Sequence, residues 1–359
     1  MPPMASITSV GIIGYGRIGD EHAAWLAAAT GISATAVADA TQERRALART
    51  RGLRTVDSVE SLLADASIDA VLVSTPTAFH FQHAMAALAA GKHVMVEKPI
   101  AMNLAEAKKL VAEASAKGLI LSVFHNRRWD ADFLTVKSAI SAGTFGKLIN
   151  VESRLGQWAS CVGPAAREWR PGWRNEASFG GGGLFDWGSH FIDQLWRLML
   201  PAHPVRIFAQ LRGNVWTRDC DDFARVLIDF DNGTSGGACV LMEVNTTTTR
   251  PLPRWHIDGT AGSAESPFSL AFDVEQWAKL SFTPANGGEP RLLQRAEPGL
   301  NETQIWEQFA VACRHEAEPA VTAQSVLPTM QLLDAARESA ATGRAIGISP
   351  HAMQSMGII

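Results

Sequence analysis

The chain has 359 residues, 47% of them hydrophobic and 19% charged, with a formal net charge of −4. That length suits about two domains with a full core, and the composition excludes a disordered chain. The charge, with no Lys/Arg block anywhere, excludes a nucleic-acid stripe; no run reaches the ~20 apolar residues of a membrane span, and Met1–Ser9 has no leader pattern, so a cytoplasmic protein is expected.

In chain order, Ser9–Ile13 reads as a strand and Gly19–Ala29 as a helix. Ser33–Ala38 and Gln42–Arg51 repeat that pair, and a short strand near Thr55 precedes a helix over Val59–Ala64. Ala70–Ser74 is the next strand, followed by a helix over Phe79–Ala90 that stops at Gly91. His93–Val96 is a strand, Asn103–Lys117 a helix with Asn103 as its N-cap, and Leu119–Phe124 a sixth strand. Strands alternating with helices at this spacing predict an α/β doubly wound parallel sheet over residues 1–124. After Phe124 the apolar runs are longer and β-rich: Leu148–Leu155, Val205–Arg212, Phe223–Phe230 and Ser235–Val244, with Asp231-Asn232-Gly233 as a hairpin turn. Helices over Glu302–Arg314 and Ser325–Ala341 follow. Residues 125–359 therefore read as a second domain with an antiparallel or mixed sheet and flanking helices.

Gly14-Tyr15-Gly16-Arg17-Ile18-Gly19 matches G-x-G-x-x-G. It follows a predicted strand and opens a predicted helix, the context a dinucleotide-binding turn requires. Gly14 permits the tight turn, Gly16 the approach of a pyrophosphate to the helix start, and Gly19 close packing of helix on strand. Asp39, closing the second strand, suits the ribose hydroxyls and repels a 2′-phosphate, which favours NAD over NADP. Arg44 and Arg45 could instead hold such a phosphate, but are expected as solvated helix surface. Cys161, Cys220, Cys239 and Cys313 are scattered with no Cys-x-x-Cys pair, so neither a metal site nor a disulfide framework is expected.

Glu97-Lys98-Pro99 directly follows the fifth strand, where a Lys-Pro turn, a candidate for a cis bond, aims the lysine into the crevice. With the glycine turn, and with Val73-Ser74-Thr75-Pro76…His80, Asn126-Arg127-Arg128-Trp129-Asp130, Gly181-Gly182-Gly183…Asp186…His190…Asp193 and Asp221-Asp222-Phe223, the chain resembles the Gfo/Idh/MocA oxidoreductase family. The segments fall in that family's order over nearly the whole chain and look most like its inositol and sugar dehydrogenases. The resemblance implies a Rossmann domain, then an α/β domain whose large open, mostly antiparallel sheet joins subunits into a homodimer or homotetramer. It implies reversible NAD(P)-dependent oxidation of a hydroxyl on a sugar, polyol or related compound, with a sugar, cyclitol or glycoside expected here. It also admits an NAD-using glycoside hydrolase or a non-catalytic NAD-binding sensor. Ser74, Thr75, Pro76 and His80 are implied beside the cofactor, with Glu97, Lys98 and Asn126 as further candidate contacts.

Asp186, His190 and Asp193 share one face if Asp186–Leu200 is helical. Removing a hydroxyl proton as hydride leaves suits a histidine, and a lysine stabilises the developing alkoxide. Lys98, His190 and Asp186 are thus the candidate catalytic residues, with Asp186 orienting the histidine or binding a neighbouring hydroxyl and Asp193 structural. One of Asn126, Arg127 and Arg128 is expected at cofactor or substrate, the others tying the domains. The only tyrosine, Tyr15, lies in the glycine turn, which excludes Tyr-Lys chemistry. Trp158, Trp169, Trp173, Trp187 and Trp196 crowd one segment with Arg167, Glu168, Arg170 and Arg174. Indoles there either floor a sugar site or serve core or interface. Arg127 and Trp173 join Lys98, Asp186 and His190 as candidate substrate contacts.

Overall fold

The computed structural model describes residues 7–161, 172–231, 237–268 and 272–349. Arg167, Glu168, Trp169, Arg170 and the Asn232-Gly233 turn lie outside them.

The first unit runs β1 (Thr8–Ile13), α1 (Arg17–Ala28), β2 (Ile32–Ala38), α2 (Gln42–Thr50), β3 (Arg54–Val56), α3 (Val59–Leu63), β4 (Ala70–Val73), α4 (His80–Ala89), β5 (His93–Val96), α5 (Leu104–Lys117) and β6 (Leu121–Val123). Its strands pair in parallel in the order β3-β2-β1-β4-β5-β6. The order reverses between β1 and β4, which opens a crevice at their carboxyl ends. Val10, Ile12, Ile13 and all of Ala70–Val73 are buried, as a sheet covered on both faces demands. Side-chain caps start the helices: Arg44 N–H donates to Thr41 before α2, and Glu106 N–H to Asn103 before α5.

The second unit adds α6 (Ala131–Ser141), β7 (Leu148–Gly156), α7 (Ser189–Met199), β8 (His203–Arg212), β9 (Phe223–Asp231), β10 (Ala238–Asn245), β11 (Trp255–Gly259), β12 (Gly262–Glu265), α8 (Val274–Trp277), β13 (Ser281–Pro284), β14 (Arg291–Leu292), α9 (Glu302–Cys313), α10 (Leu327–Thr342) and β15 (Ile346–Gly347). The sheet order is β14-β13-β12-β11-β7-β10-β9-β8-β15. β7 and β10 pair in parallel and the other neighbours antiparallel, so the sheet is mixed. Val151, Leu155, Ile207, Val226, Ile228, Val240 and Met242 point to one face and join the core of α7 and α10. On the other face Phe208, Leu227 and Leu241 align across β8, β9 and β10 and are only half-buried.

Two features depart from the sequence expectation. Asp186–Leu200 is not one regular helix: a π-helical turn spans Leu184–Gly188, and α7 begins at Ser189. The Gly180–Gly183 run before it leaves the chain free to take the wider turn. Second, α9 packs back on the first unit, with Trp306 and Phe309 in the core that holds Val10, Tyr15, Leu26 and Phe124.

Candidate active site

A cleft of about 850 Å³ runs along the crevice from Asp39 to His190. At one end β1 turns into α1. Gly14 has φ +89°, and a Cβ there would meet the Ser74 backbone at 3.0 Å; a Cβ on Gly19 would sit 2.4 Å from the Gly14 carbonyl oxygen. Only glycine fits either position. The Ser74 hydroxyl donates to the Gly14 carbonyl at 2.7 Å, tying the turn to the end of β4. Gly16 precedes α1 without a side-chain cap, so the first amides of the helix face the cleft as anion donors. This cradle fits a pyrophosphate.

Asp39, at the end of β2, lines the cleft. Its carboxylate accepts from the Tyr15 amide at 2.7 Å and from the Thr41 amide and hydroxyl at 2.8 and 3.0 Å, which fixes its orientation and leaves a lone pair on Oδ2 for a ribose hydroxyl. Arg44 and Arg45 are not the solvated surface expected of them. Arg44 is buried, and Arg45 donates to the Asp39 carbonyl at 2.6 Å and pairs with Asp57. The Tyr15 ring is fully buried and its hydroxyl donates to Asp20, so Tyr15 belongs to the turn by its backbone alone. Arg17, Ile18, Thr75, Pro76 and His80 also line the cleft. His80 lies within hydrogen-bond distance of the Thr75 and Pro99 carbonyls, 2.8 Å each, and so bridges the ends of β4 and β5. Burial pushes its pKa down, and a neutral ring donates to one of the two.

At the other end the Lys98–Pro99 bond is cis. Lys98 Nζ donates to the Asp186 carbonyl at 2.8 Å and to Asp186 Oδ1 at 3.2 Å. Asp186 therefore anchors the lysine, and no hydrogen bond joins it to His190 among the described residues. The π turn moves Asp186 out of the helical register that would have set it against the histidine. Asp193 turns away from the cleft and accepts from Arg128 at 2.7 Å on both oxygens and from Arg197 at 3.1 Å. Burial pushes Asp193 up, but those two guanidiniums outweigh it and hold it well below the usual carboxylate range.

His190 faces the cleft wall, and its Nδ1 is buried with no hydrogen-bond partner among the described residues. Burial, then the positive charges of Lys98 and the neighbouring arginines, push its pKa well below that of ordinary histidine. Both effects favour the neutral ring. His125, edge-on at 5.4 Å between centroids, is likewise pushed down to about 3, chiefly by burial. Asn126 and Arg127 line the cleft, while Arg128 ties the turn after β6 to α7 and to Ser325, just before α10. Asn126 donates to Glu302 at 3.1 Å. The Arg127 guanidinium lies 4.1 Å from the Phe272 ring centroid and pairs with Asp130.

Of the tryptophan group, Trp173 and Trp187 line the cleft, Trp196 is core and Trp158 is exposed. The Arg174 guanidinium covers the Trp173 ring at 4.4 Å.

Residues 8–125 match the family model described as the oxidoreductase family with NAD-binding Rossmann fold, and residues 133–265 match the Gfo/Idh/MocA C-terminal domain. The chain belongs to the Gfo/Idh/MocA oxidoreductase family. It is 36% identical to the oxidoreductase YdgJ of Escherichia coli over 60% of this chain and 61% of YdgJ, so the match spans about three fifths of that relative. It is 29% identical to the scyllo-inositol 2-dehydrogenase (NADP(+)) IolW of Bacillus subtilis over 81% of this chain and 82% of IolW. Among solved structures, an NAD-binding protein from Listeria innocua superposes with a TM-score of 0.83 at 30% identity, covering 95% of this chain and 97% of the other.

In this Gfo/Idh/MocA chain the sequence reasoning missed Glu302, Gln157, Ser160 and Cys161, which line the cleft from segments with no motif. His22 and Trp306 were also missed. Their signal was an unexplained histidine on the second turn of α1 and an indole on a helix assigned to the other domain.

Proposed function

We propose that the chain is an NAD-dependent dehydrogenase that reversibly oxidises a hydroxyl of a sugar, cyclitol or related polyol. One observation carries this reading: a single cleft holds a dinucleotide turn at one end and Lys98, Asp186 and a neutral His190 at the other. The nicotinamide, when bound, supplies the hydride acceptor. His190 takes the hydroxyl proton. Lys98, held by Asp186, donates to the same oxygen and stabilises its developing charge. Arg127 and Asn126 hydrogen-bond neighbouring hydroxyls, and Trp173, stiffened by Arg174, offers an apolar face to the ring. Asp39 supports NAD over NADP, because a fixed carboxylate at the end of β2 repels a 2′-phosphate. The half-buried apolar strip on the open face of the second sheet supports a homodimer or homotetramer formed there.

The test is reduced-cofactor formation across inositols, aldoses and glycosides, with NAD+ and NADP+ in parallel. Oxidation of at least one free polyol or sugar with NAD+ is expected. Glycoside hydrolysis without net NADH, or no turnover of any member with either cofactor, would count against the proposal.

A further inference from the structure

One buried polar chain reaches the cleft from outside the residues assigned above. His22, on α1, is fully buried among the rings of Trp25, Phe124 and Trp306. The Trp306 indole N–H donates to His22 Nδ1 at 3.1 Å. An indole nitrogen can only donate, so Nδ1 carries the lone pair and a neutral ring keeps its proton on Nε2. That N–H donates to Glu97 Oε1 at 2.9 Å. Glu97 Oε2 accepts from the Lys98 amide at 3.1 Å. The His22 N–H, the Lys98 amide and the Lys98 charge all favour the ionised carboxylate against its burial. Glu97 lines the cleft with 14% of its side chain exposed, at the carboxyl end of β5. In a doubly wound dinucleotide fold that end belongs to the second mononucleotide half, opposite the glycine turn. An aromatic cage needs no polar tenant, and burying one is costly unless each polar atom is matched. Here the match runs across three elements and ends on a carboxylate at the cleft.

We propose that Trp306 and His22 are positioning residues that fix Glu97 as an ionised acceptor at the nicotinamide end of the cleft, where it favours the oxidised, cationic nicotinamide over the reduced, neutral one. The proposal rests on the nicotinamide-cofactor reading above. A fixed charge in a partly dried wall acts on a cationic ring far more than on a neutral one. Lys98, whose charge also acts on Glu97, has its Nζ turned to Asp186.

The test needs no substrate: Kd for NAD+ and for NADH, each measured by calorimetry on the full chain. Glu97→Gln is expected to lower the ratio of Kd(NADH) to Kd(NAD+) about tenfold. His22→Phe, which fills the cage without donating, moves the ratio the same way by a smaller factor. Ratios within about twofold of wild type in both Glu97→Gln and His22→Phe, with both cofactors still bound, overturn the proposal. So does an equal weakening of both cofactors. Nitrogen-15 spectra of wild-type protein add a check that needs no variant to fold: His22 must carry its proton on Nε2, and a proton on Nδ1 overturns the Trp306 step. Wild-type protein that binds neither cofactor overturns the nicotinamide reading, and this one with it.

Discussion

At the scale of single residues, the site depends on charges placed where water is scarce. Replacing His190 or Lys98 by Ala should lower turnover by about 10²-fold or more, the size of a lost general base or oxyanion donor, while NAD+ affinity changes little. Equal loss of turnover and of NAD+ affinity would instead mark them as cofactor contacts. The depressed pKa of His190 also sets a pH dependence. His190, His125 and His80 are all pushed down by burial. Unfolding releases them to take up protons near pH 6.5, so the folded state loses stability as pH falls below that value and gains it as pH rises. The melting temperature should therefore drop between pH 7.5 and 5, and His125→Gln should make the drop shallower. A flat profile in the wild type would contradict the burial argument.

At the scale of elements, the glycine turn and the buried arginine pair are the testable joints. Gly19→Ala places a Cβ 2.4 Å from the Gly14 carbonyl oxygen, so α1 must move off β1. NAD+ affinity should fall at least about tenfold, read by titration, because helix start and turn no longer share one anion cradle. Asp193→Asn leaves Arg128 and Arg197 facing each other without their carboxylate. The expected cost is about 3–5 kcal/mol in denaturant unfolding, that of breaking a buried pair from one side. The strands and helices of the first unit were legible because apolar runs, Asn103 and the glycine turn all signal locally. The Asp186–His190 relation was not. A spacing of four suggests one helix face, and nothing in the local residues announced that the turn through Trp187 would be π-helical and hand Asp186 to Lys98. β11 to β14 were missed for a similar reason: they are short and Gly- or Pro-bounded, and they gain stability from pairing outward from β7 rather than from their own pattern.

At the scale of the whole molecule, the open face of the nine-stranded sheet is the face proposed above to join subunits. Leu241 sits at its middle, opposite Leu227 on β9 and Glu152 on β7. Leu241→Arg should convert the oligomer to monomer, measured as mass by light scattering behind size exclusion. A wild-type monomer at micromolar concentration would remove that face as an interface. The family was legible across nearly the whole chain because its motifs cluster at the cleft, whereas the open face carries no motif and reads only as alternation.

The return of α9 to the first unit has a mechanical consequence. The polypeptide crosses from the first unit to the second after β6, comes back to seat Trp306 against His22, and leaves again toward α10. The two walls of the cleft are thus hinged by several strands of chain rather than one, and one of those strands is gripped from within. An opening that parted the two walls would have to bend all the crossings together. A protease cut between β6 and α6 would consequently leave the halves joined, with the returning helix serving as the latch.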